Sequence, residues 1–279
     1  MTLWYDLWNA LPFEMFHWRF MQNALLAVIL MAPLFGLSST MVVTGKMSFF
    51  SDALGHSAFT GIAIGAICGF HSPTIVSVIF AIVFALLFSF IRGRSHHTAD
   101  TLIGVFSSTA VALGIFVATL DGSSFTKFNR YLIGDILSVS PSELCMLAVT
   151  LLAIVLFWLF TSNQLTLASI YPQLASSRGI PVQLTQTLFT TVIAVVVTLS
   201  ISWVGLLILN SLLVLPAAAA RNIAANIKQY HTLSVLFAFV AGFCGLCLSY
   251  FLGASAGAAI SLVLAAVFSV SLIVRKVRS

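Results

Sequence analysis

Charge is scarce in this chain of 279 residues: only 7% are Asp, Glu, Lys or Arg, against roughly 25% in a soluble domain. All seven acids (Asp6, Glu14, Asp52, Asp100, Asp121, Asp135 and Glu143) fall in the first 143 residues, so acid-dependent chemistry is excluded from the other half. No G-x-x-x-x-G-K-[S/T] occurs, which excludes ATP binding through a P-loop. No H-E-x-x-H occurs either, which argues against that kind of metalloprotease. GASAG at 253–257 copies the spacing of a hydrolase nucleophile motif, but the acid and histidine that motif needs later in the chain are missing. Cysteine is sparse: the chain has Cys68, Cys145, Cys244 and Cys247. CGLC at 244–247 lies in an apolar run without a second pair, so its cysteines read as small packing residues. Nothing here reads as an enzyme.

Apolar residues are what the chain has in abundance. They make up 60% of it, with a mean hydropathy of +1.11, which defines an all-α, polytopic transmembrane bundle. The net charge of +5 comes from basic residues at the ends of apolar runs, so lipid is the expected surrounding and nucleic acid is not a partner. The opening MTLWYDLWNALPFEMFHW lacks the basic n-region of a cleaved signal. Its Trp4, Trp8 and Trp18 suit a helix in the headgroup layer. Residues 1–19 therefore read as an interfacial segment and 20–279 as one transmembrane domain.

At about 20 apolar residues per crossing, spans are expected near 20–43, 52–70, 73–92, 100–120 and 143–161, with a polar loop at 121–142 and the longest loop at 162–186. No charge occurs from Thr187 to Ala220. That stretch reads as two crossings, one short or broken at Gly205, Asn210 or Pro216. A final pair over 232–274 turns near Gly253. The total is about nine spans, or eight if 187–220 is one re-entrant element. With the N-terminus outside and the C-terminus cytoplasmic, nine basic residues (Lys46, Arg92, Arg94, Arg178, Arg221, Lys228, Arg275, Lys276, Arg278) face inward and three (Arg19, Lys127, Arg130) outward, as the positive-inside rule requires.

The stretch that breaks the apolar pattern is SFFSDALGHSAFTGIAIG, 48–65. It places Asp52 and His56 four apart, on one helix face, with Thr60 continuing the stripe. Ionisable groups inside a bilayer usually face a pathway or a partner, and carboxylate and imidazole are both ligands for a divalent cation. The bland alternative is that the two only pair with each other. Gly61, Gly65 and Gly69 form a second stripe that admits a neighbouring helix closely. In the fourth span Asp100, Gly104, Ser107 and Ser108 share a face. Asp100 suits the positive helix N-terminus as a cap, or else contacts an ion; His96 and His97 beside it read as a solvated loop pair. In the loop 162–186, Pro172 fits a helix start, Gly179 a stop, and Pro181 prevents continuation. A short cytoplasmic helix there is either a docking element or an ordinary interfacial helix.

In their order along the chain, SFFSDALGHSAFTGIAIG, TADTLIGVFSSTAVALGI, RYLIGDILSVSP, LASSRGI and WVGLLILNSLLVLPAAAAR resemble the permease subunits of zinc/manganese-type ABC importers, a likeness that covers roughly residues 20–270. The resemblance implies a multi-pass bacterial inner-membrane permease that imports a divalent metal ion. Its partners would be separate ATPase subunits, an extracytoplasmic metal-binding protein and a second permease copy, read as a homodimer. It implies that Asp52 and His56 touch the metal and that Leu174, Ala175, Ser176, Arg178 and Gly179 form the helix coupled to the ATPase; the polar stripes of the second and fourth spans then make Thr60, Asp100, Ser107 and Ser108 candidates to line the route. No cofactor would be permanently bound, because the metal is cargo. The segment after His56 lacks the proline frequent in manganese-type members, which favours zinc over manganese or iron. The alternative from another class is an ATP-independent divalent-cation transporter or channel.

Overall fold

The computed structural model describes residue 4 and residues 14–69, 73–95, 97–120 and 136–278. Among these residues there are ten α-helices and no strand. They are α1 (Arg19–Thr44), α2 (Phe50–Ile67), α3 (Pro73–Arg94), α4 (Ala99–Leu120), α5 (Pro141–Ile170), α6 (Pro172–Ser177), α7 (Val182–Val204), α8 (Leu206–Ile223), α9 (Ile227–Leu252) and α10 (Ala256–Arg278). Eight of them are long and apolar enough to cross a membrane; the ninth long helix, α2, which carries Asp52 and His56, is not among those eight. A bilayer leaves no water to satisfy backbone groups, so helices that bond internally are the available solution for such a sequence.

Two boundaries differ from the expectations, and two others fall at expected residues. The fifth span continues beyond Thr161 to Ile170, because the polar run TSNQ is only four residues and apolar helix formers follow it. The loop expected over 162–186 is therefore confined to the few residues around α6. The break in 187–220 falls at Gly205, whose φ of 85° and ψ of 158° are open essentially to glycine alone. Asn210 and Pro216 both lie inside α8. The expected turn near Gly253 is present, with that residue left-handed (φ 62°) as the C-cap of α9. Most of the expected interfacial segment 1–19, and 121–135 of the polar loop, lie outside the described residues.

Two compact units divide the chain. The first comprises residues 1–40, 135–155 and 203–279. In it α8, α9 and α10 pack on one another. Ser234 on α9 donates to the Gly36 carbonyl of α1 at 2.7 Å, and Thr40 meets His231 Nδ1 at 2.8 Å. A capping box starts α5: Ser140 N–H donates to Glu143 Oε2 at 2.7 Å while Glu143 N–H reaches Ser140 Oγ at 3.4 Å.

The second unit comprises residues 41–134 and 156–202. Here α2 packs against both α3 and α4. Gly61 lets this happen, since a methyl on it would stand 2.5 Å from Ser77 Cα of α3. Ser77 Oγ donates to the Ala58 carbonyl of α2 at 2.9 Å. On the other side Gly114 of α4 faces Phe59 and Thr60. Small residues at these crossings replace the hydrophobic drive that lipid removes.

Candidate metal site and short capped helix

α2 is buried on almost every side. Of its first sixteen residues, 50–65, only Asp52, His56 and Ile64 are even partly open, and they share one face. Asp52 lies in the first turn, where the helix dipole favours a carboxylate. His56 Nε2 stands 3.5 Å from Asp52 Oδ2, with 30% and 48% of the two side chains exposed. The two therefore do face each other, and both remain accessible.

That separation also fits shared coordination. An ion bonded to both atoms at about 2.1 Å would see them roughly 113° apart, close to the tetrahedral angle. A right-angle pair, as in octahedral coordination, would need the atoms only about 3.0 Å apart at the same bond length. Among the described residues no group of three or more His, Cys, Asp or Glu gathers here or elsewhere. One chain thus offers a carboxylate and an imidazole, half of a four-donor set.

The remaining expected pathway residues separate into two kinds. Thr60 is fully buried, and its hydroxyl lies 2.6 Å from the Ala110 carbonyl of α4 and 3.1 Å from its own helix at His56 O. It ties α2 to α4. Asp100 is exposed in the first turn of α4, whose start is held by Thr98 Oγ1 accepting from Thr101 N–H at 3.4 Å. Ser107 is half-buried and Ser108 exposed on the same helix.

α6 forms as its sequence requires. Pro172 opens it and Arg178 caps it. Gly179 then takes φ 75°, Ile180 N–H donates to Ala175 O and Gly179 N–H to Ser176 O, both at 3.0 Å, completing a Schellman stop. Ala175 is fully buried and anchors the helix, while Leu174, Ser176, Arg178 and Gly179 are all exposed. A cavity of about 990 Å³ borders its end, lined by Ser176, Gly179, Arg92 and the start of α7.

In the sequence Arg92 is one of the nine inward basic residues and nothing more. The structure makes it half-buried, with donors to Met47 Sδ at 3.1 Å and the Gly45 carbonyl at 3.5 Å. Its only signal in the sequence is its place at the end of an apolar run.

A bundle of membrane-length helices with an accessible Asp–His pair and an exposed, capped short helix has the features of a membrane transport component. The sequence matches the model of the ABC 3 transport family over residues 17–275, and the chain belongs to that family. It is 27% identical over 253 residues to the high-affinity zinc uptake system membrane protein ZnuB of Haemophilus influenzae, covering 91% of this chain and 97% of that one. It is 30% identical over 254 residues to the manganese import system permease protein ScaB of Streptococcus gordonii, covering 91% and 90%. Among solved structures it resembles PsaBC from Streptococcus pneumoniae in complex with Fab, with a TM-score of 0.79, 29% identity and 91% of each chain covered. The chain is thus a permease subunit of an ABC-type metal transporter, a multi-pass protein of the inner membrane. Membership in an ABC family sets aside the ATP-independent alternative.

Proposed function

We propose that this permease carries Zn²⁺ into the cytoplasm through a station made by Asp52 and His56. The reading rests on the one ligand pair that α2 leaves open. Two donors per chain hold an ion weakly enough for release, where a complete four-ligand cage would trap it. A second copy presenting the same face would complete four donors transiently, so the working unit is a homodimer. Zinc is favoured over manganese and iron by the imidazole donor and by the absence, after His56, of the proline frequent in manganese-type members. Thr60 supports the route from behind, and Asp100, Ser107 and Ser108 line it.

Energy comes from ATPase subunits on the cytoplasmic side, which grip α6 through the exposed Leu174, Ser176, Arg178 and Gly179, while buried Ala175 anchors the helix to this chain. An extracytoplasmic binding protein delivers the ion. The inward placement of nine basic residues supports this orientation, with the N-terminus outside, the segment 1–19 at the interface and 20–279 acting as one permease domain. The test is uptake of radiolabelled zinc by vesicles holding the full transporter with Asp52→Asn or His56→Gln. Loss of more than about tenfold is expected when one ligand of two is removed. Wild-type uptake by correctly inserted variants would sink the site.

A further inference from the structure

We infer that the last turn of α3, centred on Arg92, is the link through which α6 moves the metal-site helix α2; this rests on the function proposed above. Ser89 to Gly93 touches both sides of that path. Toward α6, Ser89 Oγ is hydrogen-bonded to Thr187 Oγ1, and the Gln183 side-chain amide lies against Gly93, in the space a Cβ would take. Both partners lie in the first turns of α7, which begins at Val182, three residues past Gly179. Any tilt of α6 is delivered there first.

Toward α2, the Arg92 guanidinium holds the turn that joins α1 to α2, through Met47 Sδ and the Gly45 carbonyl. Lys46, between them, is the one described non-glycine residue at positive φ, 54°. Such a backbone is kept only where its surroundings hold it. Phe50 N–H then donates to Met47 O at 2.9 Å, so the turn runs directly into α2 two residues before Asp52. One turn back on α3, Phe88 packs on Phe50 with ring centroids 4.7 Å apart. Arg92 meets no carboxylate among the described residues. Its charge is held by neutral acceptors, an arrangement that a small displacement rearranges without breaking an ion pair. A cavity of about 220 Å³, lined by Lys46, Met47, Arg92, Pro172 and Gln186, leaves room beside the guanidinium for such a shift.

Arg92 is therefore a positioning residue for transport. The experiment measures zinc taken up per ATP hydrolysed by the full transporter in vesicles, beside the ATPase rate and the zinc affinity of the permease. Arg92→Met is expected to lower the uptake-to-hydrolysis ratio about tenfold, with zinc affinity and ATPase rate within about twofold of wild type. Arg92→Lys, which keeps a donor, recovers part of the ratio. Gln183→Ala combined with Thr187→Val removes both contacts on the α7 side, at positions outside the buried core, and should lower the same ratio. A wild-type ratio in that double variant overturns the inference whether or not Arg92→Met assembles. A defect in abundance alone, with the ratio intact, overturns it as well. Absence of ATP-dependent uptake by the unsubstituted transporter would instead remove the proposed function and leave the ratio undefined.

Discussion

Replacing Gly61 by alanine tests the packing that holds the metal-site helix in place. The new methyl would stand 2.5 Å from Ser77 Cα, 3.1 Å from Phe80 Cβ and 3.2 Å from Ser77 Cβ. Two of these contacts are to one residue's own backbone carbon and its first side-chain atom, so no rotamer change relieves them; α2 and α3 must separate by the better part of an ångström. Overpacking of this kind costs about 1–3 kcal/mol. The same separation stretches the Ser77 to Ala58 hydrogen bond, worth about 0.6 kcal/mol on average between membrane helices. Alanine's better helix propensity returns at most about 1 kcal/mol. The net loss is about 2 kcal/mol.

Gly104→Ala is the matched control, because nothing lies within 4 Å of the position its methyl would take. It should be neutral or stabilising by up to about 1 kcal/mol. Thermal unfolding of the two variants in one detergent should then differ by about 3 kcal/mol, on the order of 6–12 °C in midpoint. Equal midpoints would refute the close crossing of α2 and α3.

Three further outcomes follow from single residues. Thr60→Val keeps the shape and removes the hydroxyl bonded to Ala110. It should cost about 0.6–1.7 kcal/mol in a thermal melt, and zinc uptake should survive in the folded fraction. Gly179→Ala puts a side chain on a φ of 75°, with open space around it. The left-handed backbone then costs roughly 1–2 kcal/mol, and the expected readout is a lower ratio of uptake to ATP hydrolysis with a melting midpoint lowered by only a few degrees, about 2–8 °C. Gly205→Ala forces a side chain into a glycine-only backbone between α7 and α8, and a destabilisation of about 1–3 kcal/mol should appear as a lower midpoint in differential scanning.

Much of this fold could be read from the sequence because lipid imposes one rule on every span. Helix ends at Pro73, Ala99, Leu120 and Gly253 follow from proline, polar residues or glycine at the boundary. The end of α5 lies beyond the expected Thr161 because Ser162, Asn163 and Gln164 read as the start of a loop, whereas Thr161 and Thr166 return their hydroxyls to carbonyls four residues back within a continuous helix. The break at Gly205 was one of three candidates, since nothing local distinguishes it from Asn210 or Pro216.

At the site, the four-residue spacing of Asp52 and His56 was sufficient to put both on one face. It was not sufficient to say that this face alone is open, because that depends on α3 and α4 burying the rest of α2. Thr60 shows the limit of a helical stripe: it shares the spacing, yet its hydroxyl is buried against α4. Of the glycine stripe, Gly61 makes the close crossing, while Gly69 ends near α2's C-terminus at φ 70° with nothing nearby. Arg92 was invisible as a link, because its partners are a thioether and a carbonyl that lie 45 and 47 residues away.

The measurement that bears most directly on the account is uptake of zinc and of manganese by vesicles holding this permease with its ATPase and binding protein, with and without ATP. Saturable zinc uptake that needs ATP, exceeds manganese uptake and disappears in the Asp52→Asn protein is the predicted result. Equal uptake without ATP, or ATP-dependent uptake indifferent to Asp52, would contradict it.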